Sequence, residues 1–148
     1  MAIESNKTMI REFMERAFNQ GDLTAVDTHL APTAVDHQSP INTNFCTHLK
    51  QMIMGLRTAF PDLHFDLEEV VAEGDIVAFR STMTGTHHGP FRFGPHPPLP
   101  PTGRSIKVAH MHFVRVVEGK GHDLWHLWDT PAMMQQLGAM PEPQQHPA

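Results

Sequence analysis

The sequence predicts a single α+β domain in which helices come first and an antiparallel sheet follows. Apolar residues recur at three- and four-residue spacing up to about residue 60, whereas beyond it they alternate with polar ones. A chain of 148 residues has the size of one ordinary domain and can bury its own core. Since neither a repeat nor a second domain is evident, we expect one domain over residues 1–140 and a disordered tail over 141–148.

Three helices are expected before the sheet. The first, over residues 5–19, carries its apolar side chains on one stripe. Asp22 can cap a short second helix, which Pro32 would end. The third, over residues 45–60, has one apolar face and is closed by Pro61.

Period-two alternation predicts the strands, and glycine and proline predict the turns between them. Gly74-Asp75 and the Glu118–Gly121 stretch are typical of hairpin turns, and a proline-dense loop covers residues 95–101. Thr130-Pro131 is a good helix start, with Gly138 as the stop. The expected strands are residues 34–37, 63–68, 76–86, 106–117 and 122–129.

Composition and charge argue against several classes of function. The formal net charge is -5 and Lys and Arg form no stripe, so we expect no nucleic acid partner. Cys46 is the only cysteine, which rules out an internal disulfide. The polar first dozen residues do not resemble a signal peptide, and no apolar stretch reaches membrane-spanning length, so a cytoplasmic protein is expected. The chain has twelve histidines and no tyrosine. Histidine can exchange a proton near neutral pH or bind a metal, and many histidines simply lie on surfaces; composition alone does not separate these.

Seven short segments form a recognisable series when their order and spacing are taken together. They are FNQGDL at 18–23, VDH at 35–37, AFPDL at 59–63, TGTH at 84–87, PPTG at 100–103, WDT at 128–130 and QQLG at 135–138. With them the chain resembles, over nearly its whole length, the SnoaL-like polyketide cyclases (ester cyclases) of the cystatin-like, NTF2-like superfold. The resemblance implies a conical barrel, with the helices on the concave face of a bent antiparallel sheet and a deep apolar pocket open at one end.

The resemblance also implies a reaction. Characterised cyclases of this family close a ring by intramolecular aldol condensation of a polyketide ester, without metal or organic cofactor. An acidic side chain on the last strand acts as general acid/base, helped by a histidine on the neighbouring strand. We therefore expect cofactor-free general acid/base chemistry on a hydrophobic small molecule.

Histidines on the third and fourth long strands are the candidates for this chemistry. Lys107 and Arg115 mark one face of their strand as outer, so His110 and His112 should point into the cone. By the resemblance, His112 matches the catalytic-strand histidine and His110 a polar substrate-binding position. The position of the acid/base carboxylate falls on His126.

The sequence therefore departs from the family pattern at the position of the acid/base carboxylate, where it has His126. His126 can take over the proton transfer, or the chemistry differs, or the protein binds a small molecule without catalysing a reaction. Asp129 is a carboxylate that could serve instead, although Asp-Thr-Pro at a helix start is also ordinary capping chemistry. The catalytic candidates are thus His112, His126 and Asp129.

Further side chains are expected to line the pocket. Asp36 and His37 lie where the family's first strand meets the pocket mouth. Strict alternation puts Trp125 and Trp128 on opposite faces, so one should line the pocket, unless a bulge swaps them. The expected substrate-binding residues are His110, Asp36, His37, Trp125, Trp128 and Ser81.

Two alternatives concern metal and assembly. His110, His112 and His126 could also bind a metal, but paired histidines arise whenever a pocket needs polar groups, and we expect none. Met111, Phe113 and Leu127 would make the outer sheet face apolar, which predicts a homodimer or higher homo-oligomer through that face.

Overall fold

The computed structural model describes residues 2–39, 44–92 and 97–139. The expected disordered tail at 141–148 and Pro95 of the proline-dense loop lie outside the described residues. Within them the chain has the predicted α+β fold, with N-terminal helices packed on a curled five-stranded sheet. No helix in this part of the chain is both long enough and apolar enough to cross a membrane.

The helices lie close to their predicted positions. Their bounds are α1 Ala2–Phe13, the π-helix Met14–Asn19, α2 Thr24–His29, α3 Phe45–Ala59 and α4 Thr130–Gln136. Helix α1 runs continuously into the π-helix, and Asp22 accepts a hydrogen bond from the Thr24 N–H where α2 begins. The Asn44 side chain caps α3 by accepting from the Thr47 N–H at 3.0 Å.

The sheet places the last strand in its interior. The strands are β1 Leu30–Asp36, β2 His64–Glu73, β3 Ile76–Thr86, β4 Ser105–Val117 and β5 Lys120–Trp128. Their order is β1-β5-β4-β3-β2, so β5 lies between β4 and the edge strand β1. The inner face of the sheet therefore brings the end of β1 beside β5, although most of the chain separates them in sequence.

Three sequence expectations are corrected by this topology. The sheet is not wholly antiparallel, because β1 pairs in parallel with β5 through a long crossover. The second helix ends earlier than expected: Leu30 begins β1 and Pro32 lies within it, where an edge strand tolerates a missing N–H. The sheet is curled but unclosed, since β1 and β2 form its two edges in the described residues, so it is not a complete barrel.

One cluster of buried apolar side chains fills the space between the helices and the inner face of the sheet. It includes Ile53 of α3, Val77 of β3 and Val108 of β4, all with no exposed surface. Close packing at the end of β3 requires a small residue: a Cβ at Gly85 would lie 2.8 Å from that of Phe60. This contact brings the C-terminal end of α3 close to the end of β3.

Candidate functional site

A cavity opens between α1, the π-helix, α3 and the inner face of the sheet. Most of its lining is apolar and comes from both layers, for example Ile10, Met14 and Leu49 from the helices and Phe65, Phe79 and Val114 from the strands. Four of its polar side chains form one group: Asp36, His110, His112 and His126. The cavity therefore combines a large apolar wall with a compact cluster of three imidazoles and a carboxylate.

Strand alternation positions the three imidazoles. His110 and His112 are two residues apart on β4 and both line the cavity, as predicted. His126 of β5 is the direct register partner of His112, and their rings are parallel within 8° with centroids 5.8 Å apart. The two rings are thus neighbours on one face of the sheet. They do not lie on opposite walls of the cavity, where a substrate could be held between them.

A carboxylate from β1 contacts the histidine on β5. Asp36 Oδ2 lies 3.0 Å from His126 Nε2, and their side chains are only 4% and 16% exposed. The turn after β1 holds both groups. Asp36 accepts hydrogen bonds from the backbone N–H of Gln38 and from the Ser39 hydroxyl, and the Gln38 side-chain oxygen accepts one from the backbone N–H of His126. Burial alone would raise the pKa of Asp36, but hydrogen bonds from His126, Gln38 and Ser39 hold it below the usual value. Asp36 is therefore a carboxylate at neutral pH.

This contact determines the tautomer that we assign to His126. A carboxylate can only accept, so His126 Nε2 carries the proton and donates a hydrogen bond to Asp36. The other nitrogen, Nδ1, then has a free lone pair in the neutral ring, and it lies 3.4 Å from His110 Nε2. The site is thus a chain of contacts from Asp36 through His126 to His110.

Burial keeps the two histidines of β4 neutral. It lowers the pKa of His110 to about 3, reinforced by the nearby His126, and it lowers that of His112 well below the usual value. His112 stacks on Phe79 with centroids 4.3 Å apart. Neither ring is protonated at neutral pH, so each offers a neutral N–H donor or a lone pair.

Three buried polar atoms near this cluster lack a hydrogen-bond partner among the described residues: His110 Nδ1, His112 Nδ1 and Ser81 Oγ. Ser81 of β3, an expected substrate-binding residue, is the register partner of His110 and is 2% exposed, but it is not among the residues that line the cavity. An unsatisfied buried polar group costs about 1–3 kcal/mol. Such groups at one end of a cavity indicate where the polar part of a ligand would bind.

The structure distinguishes between the two tryptophans. Trp128 lines the cavity and its ring lies 5.7 Å from that of His110. Trp125 pairs with Phe113 on the outer face and stacks on His37 at 4.6 Å. Alternation from His126 explains both positions, since Trp128 is two residues away and Trp125 only one.

Two other candidates also lie outside the cavity lining. His37 contacts Asp123 at 2.9 Å and Trp125, so its contacts differ from the expected pocket position. Asp129 caps α4 by accepting from the Ala132 N–H at 3.1 Å. Of the two interpretations of Asp129, the geometry supports the cap and gives no support to an acid/base role.

Sequence reasoning placed Asp36 at the pocket mouth but missed its contact with His126. It also missed Gln38 and Ser39, which hold the pair together. The two contacting residues are 90 positions apart, and the only sequence signal was the Val35-Asp36-His37 segment at the end of β1. The parallel pairing of β1 with β5, which brings them together, had not been expected.

Comparison with known proteins identifies the family to which this arrangement belongs. The family model of SnoaL-like polyketide cyclases matches residues 8–137. The chain belongs to this family. At position 126, where the resemblance led us to expect the acid/base carboxylate of the family, this chain has a histidine in contact with Asp36 of β1.

Solved structures of several other proteins share the fold over nearly the whole chain. IdmH from Streptomyces antibioticus, a candidate polyketide cyclase, is 30% identical with a TM-score of 0.71, covering 90% of this chain and 98% of its own. AclR from Streptomyces galilaeus, a candidate hydroxylase, is 26% identical with a TM-score of 0.79, covering 95% and 89%. TsrD from Streptomyces laurentii is 24% identical with a TM-score of 0.79, covering 93% and 97%, and shows the fold alone. No curated protein matches the sequence.

Proposed function

We propose that this chain is a cofactor-independent enzyme of the cyclase type that closes a ring in a polyketide ester or a similar carbonyl substrate by intramolecular aldol condensation. The observation that carries the proposal is the buried contact between Asp36 and His126 at the polar end of an apolar cavity. Membership of the SnoaL-like family and the likeness to a candidate cyclase support the reaction class.

In the proposed mechanism His126 is the general base. Its Nδ1 lone pair removes the acidic C–H proton next to a substrate carbonyl, and the electron pair of that bond forms an enolate. The 3.4 Å contact between His126 Nδ1 and His110 Nε2 is long for a hydrogen bond, so a substrate can replace it. The enolate carbon then attacks the second carbonyl carbon, and the new alkoxide takes the proton back from His126.

Asp36 makes His126 effective in this role. It fixes the tautomer that exposes Nδ1, and its negative charge stabilises the imidazolium that forms when the proton is taken. Because the Asp36 side chain is only 4% exposed, solvent screens this interaction weakly. His112 and His110 supply neutral N–H groups for the enolate and alkoxide oxygens.

The cavity lining defines the substrate class. No Lys or Arg lines it in the described part of the chain, and its two carboxylates are Asp36 and Asp123. A carboxylate or phosphate ligand would therefore meet negatively charged side chains in the lining and no Lys or Arg there. We expect a neutral, largely apolar molecule whose carbonyl groups bind at the histidine end.

Turnover of polyketide esters that carry an acidic C–H next to a carbonyl tests the proposal. His126→Asn cannot transfer a proton at neutral pH and should lose about 10²–10⁴-fold in kcat while binding substrate with near-normal affinity. His64→Asn, at an exposed histidine outside the cavity, is the matched control and should keep full turnover.

A second candidate function is supported by the predominantly apolar lining, which also suits simple binding of a small molecule. If the wild-type protein binds such esters tightly and converts none of them, it is a binding protein and the catalytic proposal is wrong. Unchanged kcat in His126→Asn would also contradict the proposed mechanism.

We also propose that the protein forms a homodimer through the outer face of β4 and β5. Met111 and Leu127 are register partners there, and with Phe113 they are 57%, 74% and 54% exposed. Sedimentation should give twice the chain mass, and Phe113→Lys should give a monomer with an unchanged circular dichroism spectrum. Met54→Lys, at a half-exposed methionine of α3, should leave the dimer intact. A monomeric wild-type protein would contradict this assembly.

A further inference from the structure

The three cavity histidines also have the arrangement of a metal site. One ring nitrogen from each of His110, His112 and His126 can be chosen so that all three atoms lie within 4.8 Å of one another. In a tetrahedral zinc site with bonds of about 2.0–2.1 Å, the ligand nitrogens are about 3.3–3.4 Å apart. His110 Nε2 and His126 Nδ1 are 3.4 Å apart, so two of the three rings already have the separation that such a site requires.

The surroundings of His126 favour metal binding as well. Its Nε2–H donates to Asp36, which directs the Nδ1 lone pair towards the other two rings. Histidine ligands of metals typically donate their second ring N–H to a carboxylate in this way, and the carboxylate both orients the ring and raises its basicity. The turn that holds Asp36 through Gln38 and Ser39 makes this support rigid.

The donor set selects the kind of cation. Three imidazole nitrogens suit zinc, cobalt, nickel, copper and iron, whereas magnesium and calcium prefer oxygen ligands. All three rings line the cavity, so a bound ion would have a coordination position facing the space where a ligand binds. A three-nitrogen site with such an open position differs from the closed structural sites of zinc.

We propose that His110, His112 and His126 bind one late first-row divalent transition metal ion, and that this ion inhibits the enzyme. Binding of the metal stands independently of the proposed function. Inhibition rests on the proposed function, because the metal would occupy the Nδ1 lone pair with which His126 is proposed to remove the substrate proton. The metal-free protein is then the active form.

Cobalt(II) is a suitable probe, because its visible absorption reports coordination geometry. Full-length protein without an affinity tag, treated with chelator and dialysed, should bind one equivalent of Co²⁺ with the intense bands of a four-coordinate ion, and Zn²⁺ should displace it. His110→Ala and His126→Ala should lose these bands. His64→Ala, which removes an exposed histidine that also contacts a carboxylate, should retain them.

A milder variant covers the case in which a histidine variant fails to fold. Asp36→Asn keeps all three ligands and removes only the supporting carboxylate, so it should weaken Co²⁺ binding about 10–100-fold. The absence of one-equivalent binding in the wild-type protein would overturn the proposal. Equal binding by the wild type, His110→Ala and His126→Ala would also overturn it, since surface histidines would then be responsible.

Turnover measured with chelator and with one equivalent of Zn²⁺ tests inhibition separately. Loss of turnover with zinc in the wild-type protein, restored by chelator, supports it. Unchanged or increased turnover with zinc overturns the proposed inhibition. The cobalt spectra then decide whether the site binds metal. A metal-free protein without any turnover overturns the proposed function and inhibition together, while the cobalt spectra still decide whether the site binds metal.

Discussion

Two histidine–carboxylate pairs in this molecule have the same separation and opposite surroundings. His126–Asp36 and His64–Asp66 both join a ring nitrogen to a carboxylate oxygen at 3.0 Å. The first pair is 16% and 4% exposed and lies in the cavity, whereas the second is 50% and 61% exposed on the surface. Distance alone therefore does not distinguish a candidate catalytic pair from an ordinary surface contact.

The difference lies in what surrounds each pair. Water screens the exposed pair, and such contacts contribute only about 0–1 kcal/mol. The buried carboxylate instead accepts from the Gln38 N–H and the Ser39 hydroxyl, and its other side-chain contact among the described residues is the imidazole of His126. Its charge thus acts mainly on His126. The comparison predicts that equivalent changes in the two pairs will have very different effects.

The largest expected difference is in turnover. Asp36→Asn removes the negative charge that stabilises the imidazolium and weakens the control of the His126 tautomer, so kcat should fall by about 10²–10⁴-fold. Asp66→Asn makes the same chemical change at the exposed pair and should leave kcat within error of the wild type. Steady-state kinetics on a polyketide ester, with ligand affinity measured separately, provides the comparison.

Equal loss of turnover in both variants would show that the two pairs do not differ in the proposed way. Full turnover in Asp36→Asn would remove the carboxylate from the mechanism and leave His126 as an unassisted base.

The second difference is in stability. Asp36→Ala leaves the Gln38 N–H and the Ser39 hydroxyl without their buried acceptor and should lower the free energy of unfolding by about 1–3 kcal/mol. Asp66→Ala should cost less than about 1 kcal/mol, as expected for an exposed pair. Urea unfolding at pH 7 measures both, and a greater loss in Asp66→Ala would contradict the comparison.

The stability from Asp36 should also depend on pH. Burial raises its pKa, but the hydrogen bonds outweigh burial, so the folded-state pKa lies below the ordinary value of 3.8. The folded protein thus binds this proton less readily than the unfolded chain. The contribution is fully present above pH 3.8 and is lost as the pH falls through the folded-state pKa. Unfolding of the wild type and Asp36→Ala at pH 7 and at low pH should show the gap between them narrowing.

The two pairs also show what could be predicted from the sequence. Local rules were sufficient for β4: alternation placed His110 and His112 inward and Met111 and Phe113 outward, as the structure has them. The same rules describe the His64–Asp66 pair, whose members are two residues apart on one strand. The helices and hairpins followed from periodicity and turn chemistry in the same way.

The Asp36–His126 contact could not be predicted by such rules. It depends on parallel pairing of β1 with β5, which alternation within either strand does not specify. The pairing contains a register irregularity between Leu30 and Val35, so even knowledge of the topology would not have specified which residues face each other. Sequence proximity to His126 therefore favours Asp129 as the candidate acid, although the carboxylate that contacts His126 comes from β1.

Substitutions at Asp129 should have the smallest effects on turnover and stability. They also test most directly whether Asp36 or Asp129 is the carboxylate that takes part in the acid/base chemistry. Its side chain accepts from the Ala132 N–H at the start of α4, and asparagine caps helices about as well as aspartate. Asp129→Asn should therefore retain both stability and turnover, while Asp129→Ala should lose about 1 kcal/mol of unfolding free energy with turnover unchanged. Urea unfolding and kinetics on the same preparations separate the two roles. If Asp129→Asn were fully folded and inactive while Asp36→Asn remained active, the acid/base carboxylate would be Asp129, and the buried pair would be structural.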